Sequence, residues 1–149
     1  IRNLALRKET FQSGTYRYNE YHYDINGTSD KAVDGDSSAD FYLLSCAHTV
    51  ESNTPYWYVD LGNEHRIQHV EITNRGDCCA ERLHDVEVSV AGPNKEFNMI
   101  CGSFKGPGTT SQIVVIDCPY GMKGRYVKLQ IVEGTENSLT LCEVKVMGL

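Results

Sequence analysis

No stretch of this chain stays apolar long enough to cross a bilayer, which excludes membrane insertion by a helix. No run of Lys or Arg builds the basic face that nucleic-acid binding needs, and the formal net charge is −6. No Cys-x-x-Cys pair is present, so a structural zinc site is not expected. No window repeats with a helical period, and no linker, internal repeat or low-complexity segment divides the chain. No Ser-His-Asp or Cys-His arrangement stands out, and no pair of carboxylates is placed to flank a sugar as a glycosidase requires. These absences argue against an enzyme. The 149 residues favour one domain over 1–149, long enough to bury a core unaided. The first residues, Ile1 to Leu6, lack a signal peptide, so a secreted chain would be in its mature form.

What is present alternates with a period of two. Tyr56 to Leu61 ends at Gly62-Asn63, and Ile67 to Thr73 alternates through Val70 and Ile72. Val86, Val88 and Val90 stop at Gly92-Pro93-Asn94, and Ile113 to Ile116 is a short apolar run. Val127, Leu129 and Ile131 share one face, and Cys142, Val144 and Val146 repeat the pattern. Such alternation between Gly/Pro/Asn turns predicts an all-β, antiparallel sandwich. The polar, tyrosine-rich region from Tyr16 to Asp40 is expected to form long loops, where binding usually resides. Trp57 is expected in the core, and His22, His65, His69 and His84 on the surface.

Six cysteines without metal spacing favour disulfides and an oxidising compartment, and they allow fifteen pairings. Asn26-Gly27-Thr28 is a glycosylation sequon that suits a secreted chain. The stretch from Asn74 to Arg82, NRGDCCAER, sets two adjacent cysteines between two arginines. Adjacent cysteines usually find different partners, because neighbouring side chains on a strand face opposite ways. A direct bond is awkward, since Cα atoms about 3.8 Å apart fall short of the usual 4.4–6.8 Å. It would also close almost no loop and add little stability. If Cys78 and Cys79 are joined, they make a compact apolar knob that can meet the flat side of a small ring. Arg75 and Arg82 are donors only, suited to a ligand rich in lone pairs, and Asp77 between them can hold their orientation. The Arg75-Gly76-Asp77 tripeptide also invites an integrin reading, but that needs a flexible tip rather than a neighbour of joined cysteines.

His48, twenty-six residues, Arg75, one residue, Asp77, four residues and Arg82 form a spacing that resembles the F-type lectin (fucolectin) signature. The similarity extends to Asn3-Leu4-Ala5, Ala32-Val33-Asp34-Gly35, Ser45 to Thr49, Trp57 to Gly62 and Cys142-Glu143-Val144. The resemblance implies a jelly roll of the discoidin or galactose-binding type with a sugar site at one end. It implies that His48, Arg75 and Arg82 donate hydrogen bonds to α-L-fucose while Cys78 and Cys79 pack on the ring. Phe41 and Tyr42 match the family's aromatic loop and would shelter the fucose methyl group. The resemblance implies the pairings Cys46 with Cys142, Cys78 with Cys79 and Cys101 with Cys118. It also implies a structural Ca2+ ion held by Asp34, Ser45 and Glu143 with the carbonyls of Lys31, Asp36 and Cys142, an oxygen set suited to calcium. The implied protein is a secreted, non-catalytic lectin for fucosylated glycans, in agglutination or innate recognition, with a homo-oligomer as one route to avidity. Two departures stand out: Glu9 replaces a common proline, and the Tyr16–Tyr23 loop is unusually rich in tyrosine. A discoidin-like adhesion module for protein or phospholipid is the competing expectation, because a fold does not fix a function.

Overall fold

One long strand organises the sandwich. The computed structural model describes residues 1–149. Twelve strands occur in chain order: β1 (Arg2–Asn3), β2 (Glu9–Gln12), β3 (Arg17–Tyr18), β4 (Ile25–Asn26), β5 (Ala47–His48), β6 (Tyr56–Thr73), β7 (Val86–Ala91), β8 (Met99–Phe104), β9 (Ile113–Asp117), β10 (Lys123–Ile131), β11 (Thr140–Leu141) and β12 (Glu143–Gly148). Three short 3-10 turns, Ser29–Val33, Phe41–Leu43 and Ala80–Arg82, are the only helical pieces.

The two alternating runs around Gly62 are both part of β6, not separate strands. The first half of β6 pairs with β2 and β10, β10 pairs with β7, and β7 with β8. Its second half pairs with β12 and β9, and β1 completes that side on β12. All of these pairs are antiparallel. Between the halves, Gly62 adopts φ +88°, a conformation that costs glycine least. A register shift opposite Met147–Gly148 moves the inward set from Trp57, Val59, Leu61 and Ile67 to Val70 and Ile72. A bulge is needed there because alternation would otherwise turn the second apolar set outward.

Both halves of β6 feed one core with Val86, Val88, Val127, Leu129, Ile131, Val144 and Val146. Trp57 lies in it as expected, its indole N–H donating to Ser29 O at 3.0 Å. The region 16–40 is less irregular than anticipated, since β3 pairs with β4 and a 3-10 turn follows. Cys46–Cys142 ties the start of β5 to the start of β12, and Cys101–Cys118 joins β8 to the end of β9. β5 pairs with β11 through His48 and Thr140, which sets His48 beside the loop that follows β6.

Leu129 is fully buried, whereas Lys145 faces solvent from β12. Leu129→Ala should lower the unfolding free energy by about 2–5 kcal/mol in urea, through lost burial and a residual cavity. Lys145→Ala should stay within about 0.5 kcal/mol.

Candidate functional site

The loop after β6 is held from within. The Asn74 side-chain amide donates to Ala80 O and to Thr109 O, both at 3.0 Å. Arg75 is only 4% exposed. Its Nε and Nη2 donate in parallel to Asp77 at 2.9 Å each, leaving Nη1 without a protein partner. Asp77 Oδ1 also accepts from the Phe41 backbone N–H at 3.0 Å, and the Arg75 guanidinium lies over the Phe41 ring at 4.8 Å. Burial pushes the Asp77 carboxyl up, but its hydrogen bonds from Arg75 and Phe41 outweigh this and hold it below its ordinary range. Gly76 donates to Ala39 O at 2.6 Å, and a Cβ there would collide with Ser111 Oγ. The Arg-Gly-Asp tripeptide is therefore packed and paired, which removes the integrin reading.

Cys78 and Cys79 are joined, with Cα atoms 3.8 Å apart. Cys79 takes a left-handed conformation at φ +63°, which departs from the strand geometry that would hold neighbouring side chains apart. The 3-10 turn Ala80–Arg82 then delivers Arg82 to the surface.

His48 is 3% exposed, and its Nδ1 lies 2.7 Å from Thr49 O. A carbonyl can only accept, so Nδ1 carries the proton. Burial pushes the imidazole from 6.5 down to about 4, and Arg75 and Arg82 add to the shift. The neutral ring therefore offers Nε2 as an acceptor. This differs from the expectation that His48 donates to a ligand: its one proton is held by Thr49 O, and a second proton on a buried ring beside two guanidinium groups is disfavoured.

These groups meet in one cleft of about 470 Å³, lined by His48, Arg75, Cys78, Cys79, Arg82, Phe41 and Tyr42. That volume lies within the roughly 300–1,000 Å³ typical of small-molecule sites. Tyr16 and Tyr18 also line it, packed against His48 at 4.6 Å and Tyr42 at 5.4 Å between ring centres. Tyr23 reaches only Tyr42, and Tyr21 is exposed away from the cleft lining. Thr49, Val50, Glu51 and Ser138 complete the lining. The first three follow His48 directly in sequence, but nothing in the pattern signals Ser138.

A second constellation lies at Asp34, Asp36, Ser45 and Glu143. Glu143 is 2% exposed, its Oε2 accepts from Gly35 N at 3.1 Å, and its Oε1 has no partner. Burial, reinforced by the Asp34 charge, pushes its carboxyl up to about 8. Asp34 Oδ1 accepts from Asp36 N at 2.9 Å, and Ser45 Oγ lies 2.6 Å from Ser38 O and 2.9 Å from Asp40 O. The Lys31 ammonium donates to Asn26 O and has no lone pair to offer, so Lys31 could reach an ion only through its carbonyl. No cluster of three acidic, His or Cys side chains forms here, so a cation would depend largely on hydroxyl and carbonyl oxygen. A buried carboxyl with an orphaned oxygen amid oxygen atoms fits a hard divalent ion.

A sandwich with this cleft belongs to the carbohydrate-binding class of β domains, and a family model described as "NedA-like, galactose-binding domain" matches residues 31–129. The fucolectin of Anguilla anguilla is 37% identical over 147 residues, covering 97% of this chain and 89% of the relative. A crystal structure of an F-lectin (fucolectin) from striped bass (Morone saxatilis) serum superposes with a TM-score of 0.85 at 38% identity. That match covers 99% of this chain and 48% of the bass chain, so the present chain spans about half of that protein. The lectin domain of Lectinolysin complexed with Lewis B antigen also gives 0.85, at 27% identity, covering 100% of this chain and 98% of the other. The chain belongs to the fucolectin family.

The low affinity of His48 for a proton in the folded state links the site to stability. Unfolded chains take up that proton near pH 6.5 and the folded chain only near 4. The contribution is therefore complete above pH 6.5 and lost as pH falls toward 4. Comparing unfolding free energies of the native chain and His48→Gln across this window should show about 3 kcal/mol less acid destabilisation in the variant.

Proposed function

We propose that this chain is a non-catalytic lectin whose cleft seats the terminal α-L-fucose of glycans. The observation that carries the reading is the joined Cys78–Cys79 pair in the same cleft as Arg75, Arg82 and His48. Arg75 Nη1 and Arg82 donate to sugar oxygens, and His48 Nε2 accepts from a hydroxyl. Asp77 orients Arg75, and the sulfur pair packs against the C–H face of the ring. Phe41 and Tyr42 give the 6-deoxy methyl an apolar seat; burying a methyl contributes on the order of 1 kcal/mol, and an unpartnered hydroxyl in its place is penalised. The names of the relatives support fucose as the ligand, and the Lewis B complex supports a fucosylated glycan as its setting. Catalysis is not part of the reading, because Asp77 is bound to Arg75 and no opposed pair of free carboxylates brackets the cleft.

Three disulfides and the serum origin of the bass relative support an extracellular site of action. Agglutination of fucosylated cells or microbes follows if several sites act together, since one shallow site is weak. A structural Ca2+ ion completes the proposal, held by Asp34, Ser45 and Glu143 with the carbonyls of Lys31, Asp36 and Cys142. It supplies the positive charge that Glu143 lacks and braces Cys142 against the Asp40–Cys46 segment.

Titration calorimetry with methyl α-L-fucoside tests the ligand. Arg82→Ala should weaken binding roughly 10- to 100-fold, the loss of one charge-assisted bond, with unchanged thermal unfolding. No heat with fucoside, or a variant that binds as well as the parent, contradicts the reading. Calcium at a hundredfold excess over its dissociation constant should stabilise the metal-free chain by about 2.7 kcal/mol, a rise of several degrees in Tm. Glu143→Gln should abolish that rise.

A further inference from the structure

A second depression adjoins the fucose cleft and shares Glu51, Arg82 and Ser138 with it. It measures about 240 Å³ and has no apolar residue in its lining. Glu51, Glu81 and Glu136 bring three carboxylates to it, beside the Arg82 guanidinium and the His84 imidazole that meets Asp85.

Its floor is rigidly built. Asn137 and Ser52 exchange backbone hydrogen bonds at 2.9 and 2.7 Å. The Asn137 side-chain amide donates to Asn53 O at 3.0 Å and to Glu133 O at 2.9 Å, which fixes its oxygen toward His84 Nε2 at 3.0 Å. His84 Nδ1 meets Asp85 at 2.9 Å, so this histidine, at the surface as expected, also clamps the floor of the groove. On this floor sits Ser138, only 8% exposed, with no hydrogen-bond partner for its hydroxyl in the protein, lining both depressions. Its hydroxyl is not sealed from the groove, and it is free to give and take hydrogen bonds with a group that enters.

We propose that this groove is a subsite for the neutral sugar linked to the fucose, and that its carboxylates exclude glycans bearing an anionic substituent there. The inference rests on the fucose reading above. Hydroxyl-rich sugars supply donors to the three carboxylates and a partner to Ser138. A sulfate or carboxylate on that sugar meets like charge at close range, which costs far more than a rim contact returns. The aromatic side of the cleft, formed by Tyr16, Tyr18, Phe41 and Tyr42, has no such charge. Discrimination is thus confined to substituents that fall on the polar side.

Three probes separate the possibilities: methyl α-L-fucoside, a neutral fucosyl trisaccharide, and the same trisaccharide sulfated on the sugar next to fucose. Their affinities are compared in the native chain, in Ser138→Ala and in the double variant Glu81→Gln/Glu136→Gln. In the native chain the neutral trisaccharide should bind more tightly than the fucoside, and sulfation should cost roughly tenfold or more at low salt. That penalty should shrink at high salt and fall to within about twofold in the double variant, because screening and charge removal act on the same repulsion. Ser138→Ala should reduce the trisaccharide's advantage, and fucoside affinity should be equal in native chain and double variant. A trisaccharide no better than the fucoside, or a sulfate penalty that survives the double variant, overturns the subsite. Failure of the fucoside itself to bind the native chain is a different result, which overturns the fucose reading and this inference with it.

Discussion

The two-bond fork from Arg75 to Asp77 is the interaction on which the site depends. Both groups are largely withdrawn from water, so each needs the other: removing one would leave an uncompensated charge. The fork does more than balance charge. Asp77 also takes the Phe41 N–H, and Arg75 lies over the Phe41 ring. One ion pair therefore locks the loop after β6 to the aromatic segment before β5. It consumes two of the arginine's donor directions and leaves Nη1 for a ligand.

The electrostatics of the cleft follow from that pair and its neighbours. Arg75 and Arg82 disfavour a third positive charge, and burial disfavours any charge on His48. The imidazole stays neutral, its proton held by Thr49 O, and the site acquires one acceptor among its donors. A sugar hydroxyl can both give and take a hydrogen bond, so a mixed set suits it better than three donors would. The joined cysteines add shape rather than stability, as expected of a bond that closes almost no loop. Cys46–Cys142 stands apart in this respect, because it spans 96 residues and ties the strand carrying His48 to the strand carrying Glu143.

Much of this was legible beforehand because the physics involved is local. Period-two alternation gave the strands, and glycine and proline marked their ends. The resemblance of the His48, Arg75, Asp77 and Arg82 spacing to the F-type lectin signature implied their meeting, and the structure brings all four to one cleft and its supporting ion pair. Other features depended on contacts distant in sequence. That 56–61 and 67–73 are one bent strand was hidden by the turn-like Gly62-Asn63. Tyr16 and Tyr18 enter the cleft only because β3 folds back on β4. Ser138 reaches it from a loop 90 residues beyond His48 through the pairing of β11 with β5.

By itself, then, the order of residues determined the class of fold, which follows from period-two alternation between turn residues. The candidate sugar-binding groups came from the resemblance of their spacing to the F-type lectin signature, and the even cysteine count favoured disulfides. Only the tertiary structure decided which groups donate and which accept, and which charges are spent within the protein. The reason is that protonation and hydrogen-bond direction depend on burial and on neighbours brought together across the chain. Thr49 O turns His48 into an acceptor, Asp77 occupies most of Arg75, and the Asn137 floor sets Ser138 in the lining of both depressions.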